Sequence, residues 1–116
     1  MANETSRENA PLTPVEISVF IQGGRFVFRT DDARPIYVYD KDGPEVSSCD
    51  AKCAMTWQPV AAPSTATTVG DWKAIERADK SRQWAYKSKP VYTYVHDQPG
   101  QTTGDGVDGL WHVVNP

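Results

Sequence analysis

Cys49 and Cys53 are the only two cysteines in the chain, and three residues separate them. That spacing admits several chemistries. An oxidising compartment would close a local disulfide, whose short ring restricts the unfolded chain by about 2 kcal/mol. Two thiolates with the Met55 thioether and a histidine such as His112 would instead make a soft ligand set suited to copper. A bridge strained across one helical turn would be open to reduction, and so to redox exchange. His112 alternates with Trp111 and Val113, which also makes it a candidate haem or metal ligand.

Carboxylates form the second group. Gly104-Asp105-Gly106-Val107-Asp108-Gly109, with Asp97 upstream, interleaves acids and glycines as a calcium loop does, although the spaced acids and final glutamate of an EF-hand are missing. A glycine-rich turn held by its Asp side chains gives the same pattern without an ion. His96 stands beside Asp97, where an exposed His–Asp pair is usually inert. Asp42 and Asp97 could in principle share a proton as a dyad, but each precedes a proline and reads as a turn acceptor. The sequence has no G-x-S-x-G, Walker or H-E-x-x-H motif. It therefore predicts a non-catalytic protein with no cofactor expected; copper, haem and calcium are the candidates if one is held.

The elements that must position these residues are mostly β. Val15, Ile17, Val19 and Ile21 alternate with Glu16, Ser18, Phe20 and Gln22, Gly23-Gly24 suits a primed turn, and Arg25–Thr30 returns, which predicts a hairpin. Further strands are expected at 36–39, 72–77, 83–86, 91–95 and 110–114. One short helix is expected near 48–57, capped by Ser48, with Asp50 in its first turn and Ala51, Lys52, Ala54 and Met55 as helix formers. Residues 1–14 are polar and proline-bearing and read as a flexible tail or linker. Residues 15–116 then form a single β-rich domain.

Within that domain the sequence repeats. Arg34-Pro35-Ile36-Tyr37-Val38-Tyr39 matches Lys89-Pro90-Val91-Tyr92-Thr93-Tyr94 at a constant offset, which also pairs Asp42 with Asp97 and Pro44 with Pro99. One residue less pairs Trp57 with Trp111 and Val60 with Val114. Duplication accounts for this, with repeats at about 25–60 and 72–116 packed about a pseudo-twofold axis. Tyrosines two apart share one strand face, so Tyr37, Tyr39, Tyr92 and Tyr94, with Trp57 and Trp111, read as core. The alternative is an exposed aromatic platform for a ligand.

Tyr37-x-Tyr39-x-x-Asp42 and Tyr92-x-Tyr94-x-x-Asp97 resemble the repeated Y-x-(F/W/Y)-x-x-D motif of a bacterial family of predicted lipoproteins, the secreted repeat of unknown function. The likeness continues through Cys49–Pro59, Gln83–Tyr86 and Pro99–Val114 and covers about residues 34–116. Trp57-Gln58-Pro59 stands where the family usually reads Trp-Pro-Pro. The resemblance implies export to the periplasm or cell surface and brings no agreed activity. The family's signal peptide and lipid-attachment cysteine are not in this sequence, which implies a trimmed ectodomain that meets a membrane only through the missing anchor.

Composition sets the remaining bounds. With 12 Lys and Arg against 15 Asp and Glu, the net charge is −3, which gives no reason to expect nucleic acid as a partner. No apolar run approaches the roughly 18 residues of a membrane span, so a soluble domain is expected. The partner that remains is an unknown envelope protein or a small ligand.

Overall fold

A computed structural model describes residues 10–114 and 116. Among the described residues there are nine strands: β1 (Ile17–Gln22), β2 (Arg25–Thr30), β3 (Tyr37–Tyr39), β4 (Trp57–Pro59), β5 (Trp72–Glu76), β6 (Arg82–Tyr86), β7 (Lys89–Pro90), β8 (Tyr92–Tyr94) and β9 (Trp111–Val113). The expected hairpin is present as β1–β2, with Ile17 opposite Thr30 and Gln22 opposite Arg25. Gly23 and Gly24 turn it with φ of 60° and 76°, the left-handed pair a primed turn needs and glycine supplies without steric cost.

The four-stranded sheet carries the internal repeat. Its order is β4-β8-β3-β9, and exchanging equivalent strands (β3 for β8, β4 for β9) returns the same order reversed. Tyr37 pairs with its own equivalent, Tyr92, so the pseudo-twofold axis passes between these two residues. Trp57 pairs with Tyr94 in β4·β8, and Trp111 with Tyr39 in β3·β9. Each tryptophan strand therefore pairs with the tyrosine strand of the other repeat. The flanking bonds repeat too: Val60 N–H donates to the Val91 carbonyl and Val114 N–H to that of Ile36, at 3.1 and 2.9 Å.

Alternation along the central strands separates two cores. On one face Ile36, Val91, Val60 and Val114 join Ile17 and Phe28 of the hairpin and Trp72, Trp84 and Tyr86 of the sheet β5-β6-β7. On the other, Tyr37, Tyr92, Trp57, Trp111 and Cys49 pack together. Adjacent residues such as Ile36 and Tyr37 serve opposite cores, as period-two geometry requires.

Three expectations are corrected. The helix near 48–57 is a single 3-10 turn, Cys53–Met55. Ser47 and Ser48, instead of starting or capping a helix, spend their side chains on the Tyr92 hydroxyl and the Lys41 carbonyl. Local propensity over so few residues does not outweigh such tertiary bonds. Asp50 organises the turn: its Oδ1 accepts the Cys53 N–H at 3.1 Å and its carbonyl accepts that of Ala54 at 2.8 Å. Strand β4 takes the place of the expected helix end and lies at the sheet edge, where Pro59, a residue without an N–H, is tolerated. Of the expected tail, residues 1–9 lie outside the described residues; Thr13 and Pro14 are tied down, the Thr13 hydroxyl donating to the Ile17 carbonyl and the Pro14 carbonyl accepting the Ile17 N–H.

The exchange of strands leaves β8 and β9 with no ladder partner inside their own repeat. Fragments 10–66 and 67–116 are each predicted to lack near-ultraviolet circular dichroism when monomeric, and to recover it on mixing. A lone monomeric fragment with the full aromatic signal would contradict the exchanged pairing.

Candidate functional site

Four rings form a continuous stack on the second core face. Trp57 and Trp111 lie face to face with centroids 3.9 Å apart and planes 2° from parallel. Tyr39 stacks on Trp111 at 4.1 Å and Tyr94 on Trp57 at 4.3 Å. Tyr37 meets Trp57 edge-on at 5.3 Å, and Tyr92 meets Trp111 edge-on at 5.2 Å. Such pairs contribute about 0.5–1.5 kcal/mol each beyond area burial. Tyr37 and Tyr92 have no accessible surface, and Trp57 and Trp111 keep 5% and 3%. Only Tyr39 and Tyr94 are half-buried. The rings therefore form a core, and the exposed aromatic platform is not present.

The motif aspartates close this core from the opposite repeat. Tyr37 donates its hydroxyl proton to Asp97 at 2.6 Å, and Tyr92 donates to Asp42 at 2.7 Å. Six residues beyond each aspartate, a backbone N–H donates to its other oxygen: Ser48 to Asp42 and Thr103 to Asp97. Hydroxyl residues at equivalent positions in the two repeats were a signal available in the sequence. Asp97 is buried, which corrects its reading as half of an exposed pair with His96; the His96 ring instead meets the edge of Tyr94.

The two Tyr–Asp groups differ in one respect. At Tyr37, the Gly104 N–H donates directly to the phenol oxygen at 3.1 Å. A Cβ on Gly104 would lie 2.7 Å from Trp57 Cη2, so glycine alone permits the approach. Cys49 occupies the equivalent position in the first repeat. Its N–H donates to Ser47 Oγ at 3.2 Å, and Ser47 bonds the Tyr92 phenol at 2.6 Å. Since the Tyr92 proton goes to Asp42, Ser47 is the donor to Tyr92. Its lone pairs are then free for the Cys49 N–H and for Arg77 Nη1 at 2.9 Å. Arg77 Nη1 also donates to Gln83 Oε1 at 2.9 Å, and Arg77 Nη2 to the Cys49 carbonyl at 2.5 Å. Arg77, Ser47 and Gln83 were not singled out from sequence, because only the trans arrangement brings them to one place.

Cys49 and Cys53 form a disulfide with Cα atoms 5.2 Å apart. The bridge uses both thiols, so the copper set with Met55 and His112 is not assembled: Met55 is exposed, and His112 Nε2 bonds Asp40 at 2.8 Å. The calcium candidates separate as well. Asp97 serves Tyr37, Asp105 Oδ1 accepts the Val113 N–H at 3.0 Å, and Asp108 is exposed in a left-handed conformation. Among the described residues no three His, Cys, Asp or Glu side chains converge as a metal site. Asp42 and Asp97 hold separate tyrosines and do not form a dyad.

A cleft of about 650 Å³ opens beside the disulfide. The cysteine loop (Ser47–Ala51 and Ala54), Pro59, Ala61 and the β5–β6 turn line it, with Arg77, Asp79, Ser81 and Arg82 as its polar side chains from that turn. Ser47, Cys49 and Arg77, which support the Tyr92–Asp42 group, are among its walls, and its size falls in the range of small-ligand sites.

Residues 73–115 match the family described as a secreted repeat of unknown function. This bears out the family resemblance over the second repeat. No curated protein and no solved structure matches the chain.

Burial pushes the Tyr92 phenol up to about 12, with the Asp42 carboxylate adding to the shift and Ser47 opposing it. Tyr37 is raised for the same leading reason, with Asp97 as its acceptor. Burial also raises Asp42, against the hydrogen bonds it accepts. A phenol whose folded value is raised contributes stability that is present below the ordinary value of 10.0 and lost as pH rises through the folded one. Denaturant titrations between about pH 9 and 12 should therefore show falling stability, and Tyr92→Phe should flatten the fall. An unchanged slope in that variant would contradict the assignment.

Proposed function

We propose that the chain is a non-catalytic domain of the bacterial cell envelope, held by a lipid anchor on its precursor, that binds a small ligand or a partner protein. The matched repeat is a secreted one, and an extracytoplasmic compartment is where a local disulfide persists. The observation that carries the binding reading is the open cleft against the Cys49–Cys53 loop. The groups that could have done chemistry are committed elsewhere. Asp42 and Asp97 hold tyrosines, His112 holds Asp40, and both cysteines are bridged. The cleft beside the cysteine loop, with its mixed polar and apolar lining, is the feature that these commitments leave for binding.

A second reading, redox exchange at the bridge, has one observation in its favour. Cys53 is half-buried and Cys49 lines the cleft, so a partner's thiolate could approach from that side. Exchange would transfer the bridge to the partner dithiol and leave Cys49 and Cys53 as thiols.

Both readings are tested by thiol trapping on fractionated cells expressing the natural precursor. The protein should appear in the envelope fraction and resist alkylation until reduced. Cytoplasmic protein with free thiols would contradict the proposal. With purified protein, reduction should cost about 2 kcal/mol of stability without loss of the fold. Oxidation of one equivalent of a model dithiol peptide by the bridge, with Cys49 and Cys53 released as thiols, would move the function to redox exchange.

A further inference from the structure

Duplication produced two equivalent Tyr–Asp groups, and only one has been elaborated. At Tyr37 and Asp97 the supporting donors are Thr103 and a bare glycine. At Tyr92 and Asp42, Ser47, the bridged Cys49 and Arg77 are added. This is also the group that borders the cleft. A structural role alone was already satisfied by the simpler version in the other repeat.

The charges in that cleft point to its ligand. Arg77 is half-buried, yet its hydrogen bonds run to neutral acceptors, Ser47 Oγ, Gln83 Oε1 and the Cys49 carbonyl. Asp42 and Asp79 feel its charge without touching it. Those bonds use both protons of Nη1 and one of Nη2, leaving donors on Nη2 and Nε. Arg82, also half-buried, has one bond, from Nη1 to the Ser64 carbonyl at 3.0 Å. Neither arginine forms an ion pair among the described residues, whereas Arg34, Lys73 and Lys80 do. Holding guanidinium groups partly out of water without a carboxylate is costly unless an anion completes them. Around them, Ala51, Ala54, Ala61, Ala78 and Pro59 supply short apolar walls, while Asp50 and Asp79 at the same cleft disfavour a polyanion.

We infer that the cleft between the cysteine loop and the β5–β6 turn binds a small organic carboxylate, its acid group held by Arg77 and Arg82 and its apolar body on the alanine and proline walls. This names the ligand class of the binding-domain reading and rests on it. The disulfide then has a direct use: it fixes the loop whose Cys49 carbonyl orients the Arg77 guanidinium.

Titration of the isotopically labelled, oxidised domain with hexanoate, followed by amide chemical shifts, tests this, with hexanol as the neutral control. Saturable shifts at Ser47–Ala51 and Ala78–Arg82, absent with hexanol, are expected. Arg77→Gln removes a clamp on the cysteine loop and risks the fold, so Arg82→Gln is the deciding variant. It should weaken hexanoate by about tenfold, the weight of a charge-assisted hydrogen-bonded pair. No saturable shift in the wild type, equal binding of hexanol, or unchanged affinity in a folded Arg82→Gln protein would each overturn the inference. Those failures leave the envelope reading standing, because cell fractionation and thiol trapping decide that one separately.

Discussion

The face-to-face contact of Trp57 and Trp111 on the pseudo-twofold axis is the constraint on which the rest of the structure depends. Two indoles 3.9 Å apart can meet only if each arrives from its own repeat on the same sheet face. Here they reach one another from β4 and β9, at opposite edges of a sheet whose centre is the Tyr37–Tyr92 pair. Once the strands are so placed, Tyr39 and Tyr94 extend the stack, and Tyr37 and Tyr92 meet it edge-on. The phenol groups then reach the far repeat, where Asp97 and Asp42 receive them. The exchange makes the two halves one cooperative unit, because each supplies the acceptors and strand partners the other lacks.

Much of this was legible in the sequence. Alternating Val and Ile marked the first hairpin, and its glycine pair takes the left-handed angles a primed turn requires. The constant offset between the Tyr-x-Tyr-x-x-Asp segments implied a twofold arrangement, because residues repeated at one offset can be related by one axis. Tyr and Trp as core, and Asp as turn acceptor, followed from strand periodicity and from the proline after each aspartate. The cysteine spacing left a disulfide, a metal site and redox chemistry open; the closed bridge selects the disulfide over a two-thiolate metal site.

The parts that were not legible share a cause: they depend on which strand lies beside which. Nothing local tells Tyr37 to bond Asp97 rather than Asp42, since both carry the same motif context. Arg77 read only as the end of a strand, and Ser47 and Ser48 as the start of a helix. Their tertiary bonds to Cys49, Tyr92, Asp42 and Lys41 decide the backbone there. The glycine and aspartate loop resembled an ion site because Asp97 and Asp105 need acceptor geometry for N–H and O–H donors, and those demands look alike in sequence.

Divergence between the two Tyr–Asp groups links the fold to its proposed role, since the elaborated copy alone carries the bridge and Arg77. That link presumes the exchanged pairing, which a double-mutant cycle tests most directly. Tyr37→Phe combined with Asp97→Asn, compared with each single change, should give a coupling of about 1–3 kcal/mol, as expected for a buried charge-assisted hydrogen bond. Tyr37→Phe combined with Asp42→Asn should be additive within about 0.5 kcal/mol. Coupling of Tyr37 to Asp42 with none to Asp97 would mean that each repeat closes on itself, and would contradict the account.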